Sequence, residues 1–177
     1  MHAYCLFCET QKCAAIALQI ERVYGVRCIY PQIVQRKWVR GECREQRHNW
    51  LQGYLFLYSE EPIFPKYDIS GILRWLGRDE LKGQDLDFAR TLYEQNGVMG
   101  TIRLVEEGDR CLVADPLWQN LSGEVVRIDR GRKRCCVKFD FDGISRSVWV
   151  GYDLVSPTDE DNIRSFRQQA EQSAAAE

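Results

Sequence analysis

Hydrophobic and polar positions at the start of the chain follow first the pattern of a strand and then that of a helix. The short apolar run at 3–7 predicts a strand. From Lys12 to Tyr24 apolar side chains recur every three or four residues, which predicts an amphipathic helix. Gly25 follows as a helix C-cap, and the β-branched stretch "VRCIYPQIV" predicts a second strand. The chain therefore opens with a β-α-β unit.

The middle of the chain contains its clearest strand, "LQGYLFLYS", preceded by the charged hairpin "RKWVRGECREQRHNW". Tyr54, Phe56 and Tyr58 share one face of that strand, and Leu55 and Leu57 share the other. Both faces are apolar. "GILRWLG" predicts a further strand, and "QDLDFARTLYEQNG" predicts a helix that ends at Gly97. The side chains expected on its inward face are Leu86, Ala89, Leu92 and Tyr93.

After residue 100 the pattern changes to short strands separated by turns, which predicts a small β-barrel. The expected strands are 110–113, 121–129, 134–140, 144–150 and 154–155. We therefore expect an N-terminal α/β domain over 1–100 and a barrel over 108–157. The segment 101–107 predicts a short, rigid connection, since "VMGTIRLV" is mainly β-branched and apolar and is not rich in Gly and Ser as a flexible linker is. A polar tail is expected over 158–177.

Composition is that of a globular protein, with 45% hydrophobic and 28% charged residues among 177. No apolar stretch approaches the roughly 20 residues that cross a bilayer, and no secretory signal pattern opens the sequence. We therefore expect a cytoplasmic protein without membrane contact. Thiols are kept reduced in that compartment, so the eight cysteines are expected to be free.

The opening stretch "HAYCLFCETQKC" places His2, Cys5, Cys8 and Cys13 close together, as a zinc or redox site would. On a strand, however, Cys5 and Cys8 project from opposite faces, whereas tetrahedral zinc needs converging thiolates. Cys135 and Cys136 also diverge, one expected in the core and one at the surface. The sequence therefore predicts no metal and no other cofactor.

Two segments, Arg36–Arg47 and Arg127–Lys138, are strongly basic although the net charge is only -2. The first interleaves Trp38 and Trp50 with cations, which favours nucleic-acid binding by stacking and charge, or else a solvated strand edge. Its candidate residues are Arg36, Lys37, Arg40, Arg44 and Arg47.

The second segment has Asp129 as its single acidic residue and no stacking aromatic in its turn, which favours a structured RNA recognised by shape. The alternative is a solubilising turn on a barrel whose partner is a protein. Its candidate residues are Arg127, Arg130, Arg132, Lys133, Arg134 and Lys138. Because His2 and His48 are isolated and no phosphate loop or nucleophile elbow occurs, no catalytic residue is expected and the chain is not predicted to be an enzyme.

Four motifs in order resemble the NusG family of transcription elongation factors over nearly the whole chain. They are "YCLF", "GYLFL", "ILRWLG" and "GDRCLVADPLWQNLSGEVVRID". The last matches the KOW signature, with Gly123, Val125 and Ile128 at its G-x-V-x-x-I positions. Two positions depart from the family pattern: Ala3 stands where Trp is usual, and Gln52 where Pro is usual. The short connection and the basic "DRGRKRCCVKF" hairpin are most similar to the LoaP-type antiterminators.

The resemblance implies an α+β fold, with an NGN α/β sandwich followed by a C-terminal SH3-like KOW β-barrel. It implies that Phe7, Tyr54 and Phe56 receive the coiled-coil clamp helices of bacterial RNA polymerase; the alternative from the residues themselves is that these aromatics pack beneath a helix. The other partners implied are a nascent RNA hairpin and upstream DNA, bound by a monomer.

Two alternative functions remain open at this point. One is a general factor whose KOW domain binds a ribosomal protein or a termination factor. The other, more distant, is a zinc- or thiol-dependent enzyme.

Overall fold

The computed structural model describes residues 1–63, 67–76, 79–107, 110–115, 118 and 123–156. The expected tail at 158–177 and the Gly108–Asp109 start of the KOW motif lie outside this part of the chain. The described chain is a mixed α and β structure with few helices and several sheets, compatible with the predicted α+β class. Its helices are α1 (Cys13–Tyr24) and α2 (Gly83–Glu94), and a short 3-10 turn spans Thr10–Lys12.

The described strands pair in sheets of four, five and three strands. They are β1 (His2–Cys8), β2 (Arg27–Ile29), β3 (Gln32–Val39), β4 (Glu42–Asn49), β5 (Tyr54–Ser59), β6 (Ile72–Trp75), β7 (Val98–Met99), β8 (Ile102–Glu107), β9 (Arg110–Val113), β10 (Glu124–Asp129), β11 (Arg134–Phe141) and β12 (Ile144–Leu154).

Contacts divide the chain into two compact units. Unit 1 contains Met1–Ile33, Arg47–Met99 and the three residues Phe141–Gly143. Unit 2 contains Val34–Gln46, Gly100–Asp140 and the described residues from Ile144 onwards. Neither unit is a single continuous stretch, because Val34–Gln46 of the β3–β4 hairpin belong to unit 2 and Phe141–Gly143 of the β11–β12 hairpin belong to unit 1.

Unit 1 is built on an antiparallel sheet in the order β2-β5-β1-β6. β1 and β5 pair along their length, from His2 opposite Ser59 to Phe7 opposite Tyr54. Leu55 and Leu57 belong to the buried cluster that contains Ile16 and Ile20 of α1. On the other face, the Tyr58 hydroxyl donates to the Ala89 carbonyl of α2 at 2.8 Å. Each apolar face of β5 therefore has a helix against it.

The boundaries of both helices follow from their sequence. α1 ends at Gly25, which has φ 65° and donates its N–H to the Glu21 carbonyl at 3.1 Å. After α2, Gly97 has φ 79° and donates to the Leu92 carbonyl at 2.8 Å, so both predicted glycine stops are confirmed. The buried face of α2 differs in detail from the prediction: Phe88 and Thr91 are buried with Ala89 and Leu92, whereas Leu86 and Tyr93 are half-buried.

The stretch "VRCIYPQIV", predicted as one strand, forms two. β2 pairs with β5, whereas β3 belongs to the three-stranded sheet β4-β3-β7. The break falls at Tyr30–Pro31, because proline has no N–H to continue a ladder.

Unit 2 contains the five-stranded sheet, in the order β10-β11-β12-β8-β9. The segment predicted as a connection, 101–107, is strand β8 over most of its length, and β8 pairs in parallel with β12 and antiparallel with β9. β12 is one long strand where two were predicted. Alternate residues of β11, Cys135, Val137 and Phe139, are buried.

Among the described residues, no helix has the length and apolar character needed to cross a membrane.

Candidate functional site

The aromatic face expected to bind a partner is formed by Phe7, Tyr54 and Phe56 on paired strands β1 and β5. Phe7 and Tyr54 are adjacent, with ring centroids 5.0 Å apart. The exposure that direct partner binding requires is not present, since Tyr54 is 3% and Phe56 0% exposed, and only Phe7 is half-buried. The alternative that strand aromatics pack beneath a helix describes this structure better.

Two phenylalanines of unit 1 cover the aromatic face. Phe88 of α2 lies 5.6 Å from Phe56 between ring centroids. Phe141, at the end of β11, lies 5.4 Å from both Phe56 and Tyr54 and 5.1 Å from Phe88. Each such aromatic pair contributes about 0.5–1.5 kcal/mol beyond the area that it buries. The cluster is therefore a packed part of unit 1.

Polar contacts hold the turn after Phe141 beside the same cluster. The Asp142 carboxylate accepts from the Arg74 guanidinium at 2.9 Å and, more distantly, from the Tyr54 hydroxyl at 3.5 Å. Its backbone N–H donates to Asp85 Oδ1 at 3.3 Å. Burial raises the pKa of Asp85 and the charge of Asp142 adds to this, against the opposing effect of that hydrogen bond. Phe141–Gly143 are thus fixed by packing and by charge together.

Sequence reasoning missed Phe141 as part of this site. Alternation along β11 places Phe141 on the same face as Val137 and Phe139, so the sequence indicates an inward side chain. Nothing in the alternation distinguishes which apolar cluster that ring joins. The order of elements along the chain carries no such information either.

The first basic segment forms the predicted hairpin, from β3 and β4. Arg40 and Gly41 make its two-residue turn, both with positive φ at 52° and 84°, the geometry that matches the twist of hairpin strands. Every residue of β4 is exposed. The hairpin therefore presents Lys37, Arg40, Arg44 and Arg47 to solvent, with Arg44 paired to Glu42 at 3.0 Å.

Arg36 behaves differently from the other cations of this hairpin. Its Nη1 and Nη2 atoms donate to the two carboxylate oxygens of Asp153 at 2.7 and 2.9 Å, and Nη1 also donates to the Tyr152 carbonyl at 2.9 Å. The hydrogen bonds from Arg36 hold the pKa of Asp153 below its usual value. With its side chain only 15% exposed, Arg36 is engaged within unit 2 and is a poor candidate for binding phosphate.

The two tryptophans of the first segment also separate. Trp50 is half-buried and its ring packs 5.8 Å from Phe88 in unit 1. Trp38 in β3 is 48% exposed. Of the two, Trp38 alone offers the stacking surface that both were expected to provide.

The second basic segment forms the β10–β11 hairpin, and its charge is more balanced than the sequence indicates. Asp129 accepts from the Arg132 backbone N–H and from Arg134 Nε, both at 3.1 Å. Burial would raise the pKa of Asp129, but these hydrogen bonds outweigh it and lower the pKa. Arg130 pairs with Glu106 of β8 at 3.0 Å, an anion remote in sequence.

Three further cations of this segment are accessible. Arg127, Lys133 and Lys138 are exposed. Arg134 is half-buried, with its guanidinium carbon 4.6 Å from the centre of the Trp149 ring. The cations of this hairpin therefore fall into a paired group at Arg130, Arg132 and Arg134, of which the first two are also exposed, and an accessible group at the other three positions.

The KOW-like positions lie directly before β10 and within it. Gly123 donates its N–H to the Trp118 carbonyl at 3.1 Å, and a Cβ at Gly123 would lie 2.9 Å from that same oxygen. Close backbone approach therefore explains the glycine. Val125 and Ile128 are half-buried, so these positions support the hairpin and offer no exposed binding surface.

The cysteines do not form a metal site in the described part of the chain, where no group of three or more His, Cys, Asp or Glu side chains converges. All eight are free thiols. Burial raises the pKa of Cys8 to about 12 and that of Cys5 well above its usual value, so both thiols are protonated at neutral pH and are poor nucleophiles. Cys135 is buried and Cys136 half-buried, as the alternation predicts.

Comparison with known proteins adds no assignment to these sites. No protein-family model matches this sequence, and no curated protein shows significant similarity to it. The function is therefore argued from the aromatic face, the two basic hairpins and the KOW-like motif.

Proposed function

We propose that this protein is a NusG-like transcription elongation factor of the specialised antiterminator kind. An NGN-type domain, containing unit 1, binds RNA polymerase through Phe7, Tyr54 and Phe56, and a KOW-type SH3-like barrel in unit 2 binds structured RNA. The observation that carries the proposal is the order of motifs on their elements. "YCLF" and "GYLFL" fall on the paired strands β1 and β5, and the KOW-like positions fall at the entry to the β10–β11 hairpin of the five-stranded sheet.

The mechanism we propose is binding alone, in the cytoplasm and as a monomer. A protein that bridges two parts of the polymerase clamp favours the closed clamp over the open, paused one, by as much as its affinities for the two states differ. RNA bound at the same time by the second unit keeps the factor on one elongation complex, since a second linked contact is intramolecular. This mechanism needs no catalytic residue.

Burial of the aromatic face sets a condition on polymerase binding. Tyr54 and Phe56 contact Phe141, so a partner can reach their rings only after residues 141–143 leave the cluster. The cost of removing Phe141 is then subtracted from the binding free energy, as for any protein whose competent state is a minor one. A smaller side chain at 141 is therefore expected to raise the apparent affinity for polymerase.

The test measures affinity for purified core RNA polymerase by fluorescence anisotropy, comparing the wild type with Phe141→Ala. We expect tighter binding by the variant, provided circular dichroism shows that it remains folded. Phe7→Ala, at the half-buried edge of the face, is expected to weaken binding in both backgrounds. Leu73→Ala, at an exposed position of β6, is the matched control and should have no effect. Absence of polymerase binding by the wild type and by Phe141→Ala alike would overturn the proposal.

The charge balance of the β10–β11 hairpin favours a second candidate, a general factor whose KOW-type domain binds a ribosomal protein or a termination factor. Arg130, Arg132 and Arg134 are paired with Glu106 and Asp129, and paired arginines release few counterions from nucleic acid. The two candidates are distinguished by adding structured RNA or a candidate protein to the polymerase-bound factor. Crosslinking of RNA to unit 2 supports the antiterminator, and capture of the protein instead supports the general factor.

A further inference from the structure

An exposed tryptophan and an exposed lysine that are far apart in sequence share one groove of unit 2. The groove has a volume of about 430 Å³ and is lined by Arg36, Trp38, Cys43, Glu45, Lys133 and Asp153. Trp38 comes from the β3–β4 hairpin, and Lys133 from the turn between β10 and β11. The sequence argues against single strands at the β10–β11 turn because that turn lacks a stacking aromatic. The structure supplies one from β3.

We propose that this groove binds single-stranded nucleic acid, with one base stacked on Trp38 and an adjacent phosphate at Lys133. The inference rests on the proposed function for its nucleic-acid partner and deepens it, because it changes the recognised element from a duplex to an unpaired segment. A half-exposed indole beside a cation is the combination that single-strand sites use. Stacking on an aromatic ring contributes about 1–3 kcal/mol per base.

The charges that line the groove favour a base inside the groove and a phosphate at the edge of the groove. Both carboxylate oxygens of Asp153 accept from Arg36, and one of them also accepts from the Thr101 hydroxyl at 3.2 Å. Arg36 and Asp153 therefore neutralise each other and attract no phosphate. Lys133 is exposed, and within the described residues no carboxylate lies within 4.0 Å of its ammonium group. Its charge contributes to lowering the pKa of Asp153 but forms no such close ion pair, so it can also attract a phosphate at the edge of the groove.

Glu45 gives the groove a basis for choosing among bases. Its side chain is 61% exposed and its nearest cation, Arg36 Nε, is 3.7 Å away, so its carboxylate retains capacity to accept hydrogen bonds. A carboxylate accepts from an exocyclic amino group, such as N4 of cytosine, and is repelled by the carbonyl oxygens of uracil and thymine. We therefore expect stronger binding of cytosine-rich than of uracil-rich strands.

The test measures anisotropy of labelled oligonucleotides with the full chain: cytosine-rich and uracil-rich single-stranded RNA, cytosine-rich single-stranded DNA, and duplex RNA. Trp38→Ala is expected to weaken binding of single strands by about 5- to 150-fold, the equivalent of one lost stack. Trp38→Phe should restore most of the affinity, because a phenyl ring also stacks. Val126→Ala, at a similarly exposed apolar position of β10, is the matched control and should bind as the wild type does.

Two further variants test the remaining roles. Lys133 has φ 48°, so Lys133→Asn removes its charge with a residue that tolerates this backbone conformation. We expect the slope of log affinity against log salt to fall by about 0.7 for single strands. Glu45→Ala should abolish the preference for cytosine over uracil. A higher affinity for RNA than for DNA would identify a transcript as the source of the strand, and the reverse would identify displaced DNA.

Wild-type affinity of Trp38→Ala for single strands, or tighter binding of duplex RNA than of single strands, would overturn the inference. Polymerase binding measured on the same variants separates this failure from failure of the proposed function. If polymerase is bound and single strands are not, the groove assignment alone is wrong. If neither is bound, both are wrong.

Discussion

The aromatic face in unit 1 and the Trp38 groove in unit 2 differ in what covers their rings. Tyr54 and Phe56 lie in strand β5, which is apolar on both faces, and are buried beneath Phe88 and Phe141. Trp38 lies in a charged hairpin and is half exposed. A strand that is apolar on both faces thus contains rings that other elements must bury, and here a part of the chain remote in sequence buries them. An aromatic ring among charged residues can stay exposed. The better candidate for direct stacking is therefore the tryptophan in the polar segment.

The largest expected effect is on the free energy of unfolding, which a substitution in the aromatic face should lower much more than a substitution in the Trp38 groove. Phe56→Ala should lower the free energy of unfolding by about 3–5 kcal/mol, because the ring is fully buried and a cavity remains. Trp38→Ala should lower it by less than about 1 kcal/mol, as surface substitutions do. Urea denaturation followed by circular dichroism measures both. Where Phe56→Ala does not fold, Phe56→Leu provides a milder comparison, and equal effects at the two positions would contradict the distinction.

The burial of both rings also makes the double variant Tyr54→Ala with Phe56→Ala unsuitable as a test of partner binding. Such a double variant is expected to leave the fold cooperative only if the two rings are exposed. Since both are buried, we expect it to unfold unit 1. Phe7, at the half-buried edge, is the position where contact with a partner can be tested separately from folding.

A smaller effect is expected at Asp153, beneath the Trp38 groove. The pKa of Asp153 is lowered by Arg36, so the pair stabilises the folded state above the unfolded carboxyl pKa of about 3.9. That stability is lost as the pH falls through the lower pKa of the folded state. Asp153→Asn should therefore cost about 1 kcal/mol at pH 7, allowing for the exposure of the carboxylate, and the difference should disappear in acid. Glu45→Gln, with its longer contact to Arg36, is the matched control and should change little.

Replacing Asp85, beside the aromatic cluster, is expected to change stability in the opposite direction from replacing Asp153. Its pKa is raised by burial and by Asp142, so its ionised form destabilises the folded state above that pKa. Asp85→Asn keeps an oxygen that can accept from the Asp142 N–H and should stabilise the protein at pH 7 by about 0.5 kcal/mol, after allowance for solvent screening. The gain should vanish below the carboxyl pKa. Unfolding measured at pH 7 and pH 3 tests both aspartates, and the same sign at the two positions would contradict the assigned electrostatics.

In this chain the sequence predicts helices, strands and turns better than it predicts which residues bury the aromatic rings and which charges form ion pairs. Some features depend only on neighbouring residues, and the structure contains each of them: the helical periodicity, the helix ends at Gly25 and Gly97, and the turn at Arg40–Gly41. Strand β8 was expected as a connection, although Ile102, Arg103 and Leu104 alternate as in a strand, because nothing in its sequence identifies the remote strand β12 as its partner. Glu106 opposite Arg130 depends in the same way on the pairing of distant segments. Residues that meet only through tertiary structure are those that the pattern does not assign.

The last and smallest effect is on the salt dependence of nucleic-acid binding. It tests the division of the β10–β11 cations into paired and accessible groups. Arg127 and Lys138 are exposed, whereas Arg134 is paired with Asp129 and lies against Trp149. A cation that neutralises a phosphate releases a counterion, so each accessible residue should contribute about 0.7–0.9 to the salt dependence of nucleic-acid binding. Arg127→Ala and Lys138→Ala should each lower the slope of log affinity against log salt by about that amount, with only a modest loss of affinity at low salt. Arg134→Gln should leave the slope nearly unchanged, because its charge is already compensated within unit 2. Equal slopes for all three variants would show that the ion pairs open when nucleic acid binds, and would return Arg130, Arg132 and Arg134 to the set of candidate phosphate contacts.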